Sequence, residues 1–150
     1  MTGSSMRLER ASGADVPAVE ALLSAADLPL DGAADAVASL GVVARDAAGA
    51  VVGAAALERF GSAGLLRSVV VAPAARGLGV GRAVVEEAER LAAAEGMDDL
   101  YLITETAEAW FPRLGWTPVP RSVAQAAVGE SIEFTTVCRD KGVPMRRLRP

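Results

Sequence analysis

The stretch Val69-Val70-Val71-Ala72-Pro73-Ala74-Ala75-Arg76-Gly77-Leu78-Gly79-Val80-Gly81 decides the fold. A β-branched apolar run ends in a glycine-rich turn, and a helical pattern follows from Gly79 to Glu95. That pattern sets apolar Val80, Val84 and Leu91 against charged Glu86, Glu87, Glu89 and Arg90, the mark of an amphipathic helix. Gly96 is placed to end it. A strand that passes through glycines into a helix N-terminus gathers exposed N–H groups and the positive end of the helix dipole at one spot. Such a spot suits a phosphate.

The spacing narrows which phosphate. A P-loop ends in Gly-Lys-Ser/Thr, and here Gly81 is followed by Arg82-Ala83, so an ATP loop of that kind is excluded. A dinucleotide fingerprint needs G-x-G-x-x-G in the first βαβ unit. Here the third position falls on Arg82, and three strands precede the turn.

Upstream, Met6–Ala11 reads as a short strand, and Ser12-Gly13-Ala14-Asp15 as a capping box opening a helix that fades before Pro29. Asp31–Ser39 reads as a second helix. Leu40–Arg45 and Ala50–Arg59 form a hairpin about Asp46-Ala47-Ala48-Gly49, and Gly61-Ser62-Ala63-Gly64 turns the chain into the Leu65–Ala72 strand. Downstream, Leu100–Thr104 is a buried-type strand, parallel or nearly so to the one before the glycine turn. Glu105–Leu114 reads as a short helix stopped by Gly115, with Pro112 bending it. Trp116–Val119 is a strand, Ser122–Val128 a weak helix and Val143–Leu148 a last strand. The class is α+β: a mixed, mainly antiparallel sheet of about seven strands flanked by helices.

Residues 1–150 suffice for a single domain, with Met1–Ser5 as a disordered leader. The chain has no histidine, which removes the usual general base and most zinc sites; no metal is expected. Cys138 is the only cysteine, so no intrachain disulfide can form, and an inert buried thiol is the expectation for it. The formal net charge of −4 argues against nucleic acid. No apolar run approaches the ~20 residues of a membrane span. A cytoplasmic protein is expected. Lys141 is the only lysine among fifteen basic residues, a bias that carries no functional weight.

The motif Arg76-x-x-Gly79-x-Gly81 after Val69-Val70-Val71-Ala72-Pro73 resembles the pyrophosphate-binding loop of the GNAT superfamily of acetyltransferases. Ala107-Glu108-Ala109-Trp110-Phe111-Pro112-Arg113-Leu114-Gly115-Trp116 is similar to that superfamily's second element, and the element order agrees. The resemblance implies the GNAT fold and acetyl-CoA as co-substrate. It places the backbone of Val69, Val70 and Val71 against the pantetheine arm. Arg76, Gly77, Leu78, Gly79, Val80, Gly81 and Arg82 fall at the pyrophosphate, and Phe111 on the pantetheine side. A narrower likeness rests on Leu65-Leu66-Arg67-Ser68-Val69, Leu102-Ile103-Thr104-Glu105-Thr106-Ala107-Glu108 and Val119-Pro120-Arg121, with Glu133-Phe134, Cys138 and Met145. These resemble a branch of stand-alone N-acetylglutamate synthases and arsenic-resistance acetyltransferases, although the segment after Cys138 lacks the cysteine-proline pattern expected there.

Acetyl transfer to an amine needs a neutral nitrogen, a donor for the oxyanion and a leaving thiolate. The oxyanion donor implied is a backbone N–H near Val69. The tyrosine that many relatives offer to the thiolate falls on Phe111; Tyr101 sits in a strand. With no histidine, a carboxylate must serve as base: Glu58 first, with Glu105 and Glu108 as alternatives. Arg67 interrupts an apolar strand and either holds a substrate carboxylate bidentately or is a surface arginine paired with Glu58. Arg121 has the same two readings. Thr104 stands where asparagine is common, and with Glu108 it is a candidate for lining the acceptor site. The expected reaction is acetyl transfer to a small amine, an amino acid or an analogue carrying a carboxylate, glutamate-like or arsenical. An acyl-CoA-binding module without turnover, and acetylation of a protein N-terminus or lysine, are the alternatives. A homodimer through the late strands is conceivable.

Overall fold

The computed structural model describes residues 6–137 and 141–148. Its strands are β1 (Arg7–Arg10), β2 (Gly41–Arg45), β3 (Val51–Phe60), β4 (Ala63–Val71), β5 (Asp99–Thr104), β6 (Thr117–Pro118) and β7 (Val143–Leu148). Its α-helices are α1 (Val16–Ala25), α2 (Ala33–Leu40), α3 (Val80–Ala94) and α4 (Arg121–Val128). The strands form one mixed sheet in the order β1-β2-β3-β4-β5-β7-β6. The chain divides into two compact units. One holds the described residues up to Leu57 together with Ser68–Leu91; the other holds Glu58–Arg67 and the described residues from Ala92 onward.

In the first unit, β1 and β2 pair antiparallel from Arg7↔Arg45 to Arg10↔Val42, and β2 and β3 from Gly41↔Ala56 to Arg45↔Val51. The capping box expected at Ser12 is present in its reciprocal half: the Ser12 N–H donates to Asp15 Oδ2 at 3.0 Å. Asp15 also accepts from Arg45 Nη2 at 2.8 Å. Burial pushes the Asp15 carboxyl up, but the Ser12 N–H and the Arg45 guanidinium outweigh it and hold the group below its ordinary value. Val19 and Leu23 of α1 pack with Ala33, Ala36 and Val37 of α2 on Val43, Ala54 and Ala56 of the sheet. Gly53 of β3 explains how α3 seats on the sheet. A Cβ there would stand 2.5 Å from Val80 Cγ1 and 3.4 Å from the Val70 carbonyl oxygen, so only a bare backbone admits the first turn of the helix.

In the second unit, β4 and β5 run parallel, as the crossover connection requires, and pair over Ala63↔Asp99, Gly64↔Leu100 and Leu65↔Tyr101. The ladder ends there, although β4 runs on to Arg67 within this unit and β5 to Thr104. From Asp99 to Thr104, β5 pairs antiparallel with β7, which in turn pairs with β6. Ala124 and Val128 of α4 and Phe134 pack on Ala63, Leu65 and Tyr101. Two expectations need correction. β4 begins at Ala63 and not Leu65. The helix expected over Glu105–Leu114 is absent; only Phe111–Leu114 forms a 3-10 turn. Pro112 lacks the N–H such a helix needs, and Thr104 Oγ1 accepts the Ala107 N–H at 2.9 Å, closing a side-chain turn instead.

Candidate active site

The residues expected at the co-substrate, Phe111 apart, lie in the first unit. After β4 the chain makes a 3-10 turn over Pro73–Ala75 and then runs exposed from Arg76 to Gly79. Gly77 and Gly79 have φ of 83° and 82°, left-handed backbone that glycine takes at little cost. A Cβ on either would meet nothing within 4 Å. Their role is therefore to turn the backbone and not to admit a neighbour. Val80 opens α3, so the N–H groups of its first turn lack intrahelical acceptors. Arg76 and Arg82 are exposed, and Arg82 pairs with Glu86 at 3.3 Å, an i,i+4 contact of small energetic weight. Leu78 is 57% exposed on the loop. Val69 and Val71 are half-buried and Val70 is buried.

The residue before Val69 is not ordinary strand. Ser68 has φ 57°, a region that residues other than glycine, Asn or Asp seldom occupy and one that stores strain. Alternation through Arg67, Ser68 and Val69 is interrupted as a result: Arg67 is buried, and the next two residues are both half-buried.

The acceptor-side candidates lie in the second unit. The Arg67 side chain is fully buried, so it is not the surface arginine considered above. Its Nη1 donates to Glu58 Oε2 at 3.4 Å, and its Nη2 lies 3.6 Å from Glu133 Oε2. A buried guanidinium is tolerable only when paired, and removing its partners is far costlier than the pair is favourable. Glu58 Oε1 accepts a hydrogen bond from Ser131 Oγ, and the Glu133 N–H donates to Ser131 Oγ at 3.2 Å. Burial pushes the Glu133 carboxyl above its ordinary value; Arg67 opposes this, while Glu58 and Glu105 add to it. Glu133 begins a π-helical turn, Glu133–Val137, a distortion often found at functional sites.

The structure thus brings Glu58 and Arg67 together and adds Ser131 and Glu133, neither of which sequence reasoning had placed in the site. The signal for Glu133 was a lone carboxylate between Ile132 and Phe134. For Ser131 there was none. Thr104 is buried at the end of β5 with its hydroxyl oxygen committed to the Ala107 turn. Glu105 and Glu108 are exposed. Phe111 is buried, with its ring edge-on to Trp110 at 4.8 Å and to Trp116 at 6.2 Å. Arg121 donates to the carbonyls of Lys141 and Gly142 at 2.8 and 3.0 Å and lies over the Phe134 ring, which holds the approach to β7. The Tyr101 hydroxyl donates to Asp99 Oδ2 at 3.0 Å. Among the described residues, no group of three or more acidic, cysteine or histidine side chains could hold a metal ion. Cys138 lies outside the described residues.

Residues 38–118 match the family model described as an acetyltransferase (GNAT) domain. The chain belongs to the GNAT acetyltransferase family. Its co-substrate is acetyl-CoA. Similar solved structures include Rv2747 from Mycobacterium tuberculosis in complex with CoA, at 26% identity and TM-score 0.74, with 96% of this chain and 99% of that one covered. N-acetylglutamate synthase from Neisseria gonorrhoeae, complexed with coenzyme A and N-acetyl-glutamate, aligns at 18% identity and TM-score 0.80. That alignment covers 97% of this chain and 35% of that one. A GNAT-family acetyltransferase from Staphylococcus aureus aligns at 14% identity and TM-score 0.76, with 96% and 99% covered. No curated protein matches the chain. Among the described residues, no helix of this GNAT chain is long and apolar enough to cross a membrane.

Proposed function

We propose that this GNAT acetyltransferase acetylates the amine of a small zwitterion, an α-amino acid or an analogue bearing an acidic group, by direct transfer in a ternary complex. The observation that carries the reading is the side-by-side placement of opposite charges at 3.4 Å, Glu58 and the fully buried Arg67. An α-amino acid offers the complementary arrangement: its ammonium seeks a carboxylate and its carboxylate a guanidinium fork. In this reading Glu58 takes the proton that the ammonium must lose. The nitrogen lone pair then attacks the thioester carbonyl, with the Val69 N–H serving the oxyanion; the C–S bond breaks to release coenzyme A as thiolate, and the second proton, lost by the nitrogen as the amide forms, passes to that thiolate or to solvent. No general acid is required, because a thiol of ordinary pKa near ~8.5 leaves tolerably without one. Val69, Val70 and Val71, with Arg76, Gly77, Leu78, Gly79, Val80, Gly81, Arg82 and Phe111, hold acetyl-CoA in this reading. Thr104 and Glu108 border the acceptor. N-acetyl-glutamate in the Neisseria structure supports a glutamate-like acceptor, and the narrower sequence likeness supports testing arsenical analogues.

A second reading has one observation in its favour. Arg67 already has two carboxylates, Glu58 and Glu133, which suits an amine with no acidic group of its own. Thiol release from acetyl-CoA over an amine panel separates the two. The panel holds glutamate, arsenical and phosphinic amino-acid analogues, and the corresponding simple amines. Zwitterions should be turned over faster. Arg67→Ala should raise the KM for them about tenfold or more, the loss expected for a charge-assisted pair, and leave the KM for acetyl-CoA near wild type. Simple amines turned over as well as their carboxylated counterparts would rule out the zwitterion.

A further inference from the structure

We infer that Ser131 is a positioning residue that fixes the carboxylate of Glu58. The inference rests on the reading of Glu58 as the base and goes beyond it by asking what orients that base. Glu58 ends in a freely turning carboxylate, and a base works only when one oxygen faces the proton it must take. Here the two oxygens have different donors. Oε2 accepts from Arg67 Nη1 at 3.4 Å, and Oε1 accepts from Ser131 Oγ. With a guanidinium on one side and a hydroxyl on the other, rotating the group out of that plane breaks both bonds, and only the symmetric half-turn restores them.

The hydroxyl is itself held. A serine O–H is a free rotor unless its lone pairs are occupied. The Glu133 N–H donates to Ser131 Oγ at 3.2 Å, which leaves the hydroxyl hydrogen to point at Glu58. The backbone behind the serine is also anchored, because the Ser131 carbonyl accepts from the N–H groups of Phe134 and Thr135, each at 3.0 Å. Phe134 is buried in the core against α4 and β5. The chain of support runs from the buried Phe134 through the turn at Ser131 to the hydroxyl, and from there to the carboxylate. Ser131 is 2% exposed, whereas a fifth of the Glu58 side chain remains accessible. Glu58 is thus the group that meets substrate, and Ser131 acts through it. The charged groups around this carboxylate are Arg67 from β4 and Glu133 from the π-helical turn, with Glu105 beyond β5 acting on Glu133.

The test compares Ser131→Ala, Ser131→Cys and Glu58→Gln in the full chain. Thiol release is followed from about pH 5 to pH 9 with L-glutamate, or with the fastest amine of the panel if glutamate releases no thiol. Losing a hydrogen bond to a charged group should lower kcat in Ser131→Ala about tenfold. The loss should fall on kcat, because the carboxylate is still present but no longer held in place. The KM for acetyl-CoA should not change. Ser131→Cys keeps the volume with a weaker donor and should fall between wild type and alanine, which serves if the alanine variant folds poorly. A merely structural serine would lower the folded fraction without lowering kcat per folded enzyme. Glu58→Gln should lose activity at least a hundredfold. If it does and both serine variants keep the wild-type kcat per folded enzyme, the inference about Ser131 is overturned while the base reading stands. If Glu58→Gln keeps its activity, the base reading falls, and the inference with it.

Discussion

The loop from Arg76 to Arg82 and the cluster of Glu58, Arg67, Ser131 and Glu133 handle polarity in opposite ways. The loop is exposed from Arg76 to Gly79, its shape comes from two glycines with φ above 80°, and Arg76 and Arg82 stand at the surface. The cluster is buried apart from an accessible fifth of the Glu58 side chain, its shape comes from side chains, and a fully buried guanidinium is held between two carboxylates. A backbone cradle recognises phosphate through N–H groups that every residue carries, so it tolerates variation and suits a donor common to a whole family. A side-chain cluster recognises one charge pattern and changes with any of its members. Under the proposed function the difference teaches where specificity resides: the donor would be read by backbone geometry and the acceptor by four particular side chains. Substitutions that damage one half and spare the other are the way to break that division.

Gly53→Ala should have the largest effect among the changes that bear on the donor half. The new methyl would lie 2.5 Å from Val80 Cγ1, and a β-branched side chain at a helix start has few rotamers to escape into. Overpacking of this kind costs about 1–3 kcal/mol, measurable by urea denaturation. Because Val80 adjoins Gly79, the displacement should also raise the KM for acetyl-CoA and leave the KM for the amine alone. An equal rise in both would show that the two halves do not act separately.

Glu133→Gln examines the acceptor half, with a smaller effect whose sign depends on pH. The folded chain holds the Glu133 proton more tightly than the unfolded chain does, because burial raises the group. The folded state then binds more protons, and stability falls as pH climbs from the ordinary carboxylate range through the raised folded value. Glutamine has no proton to lose. The stability of the variant relative to wild type should therefore increase over the pH interval just above the ordinary carboxylate range, read by urea denaturation. A constant difference across that interval would mean that Arg67 fully compensates the buried charge.

Much of this architecture was legible because it depends on local signals. The hairpin about Asp46–Gly49, the helix after Gly79 and the parallel return to β5 follow from turn residues, periodicity and crossover handedness. The segment from Glu105 to Leu114 misled, since apolar spacing suggested a helix while Pro112 and the Thr104 hydroxyl diverted its backbone bonds elsewhere. The left-handed Ser68 left no trace in composition: serine is not a residue that announces positive φ. The acceptor cluster was half visible. Arg67 showed itself by interrupting an apolar strand, and Glu58 by its place near the end of β3. Ser131 and Glu133 reach the cluster only through packing of Phe134 with α4, a contact between residues some seventy positions from Glu58, and no short-range pattern encodes it.

Gly79→Ala should produce the smallest effect and the one most specific to the loop. At φ 82° an alanine is strained, yet its methyl would meet nothing within 4 Å, so the fold has no packing reason to fail. The cost is the backbone preference alone, about 1 kcal/mol. That strain can be relieved by letting the exposed loop relax away from the left-handed region, which turns the following N–H groups off their common focus. The free enzyme then loses little stability, and the penalty appears when the loop must re-form around a pyrophosphate. The KM for acetyl-CoA should rise about five- to tenfold, the equivalent of that free energy, while kcat at saturating acetyl-CoA and the KM for the amine stay near wild type. Measuring both KM values for Gly79→Ala beside Arg67→Ala gives the sharpest form of the comparison, because each variant should move only the constant that the other leaves untouched. A Gly79→Ala enzyme with unaltered affinity for acetyl-CoA would mean that the left-handed turn serves only to connect β4 with α3.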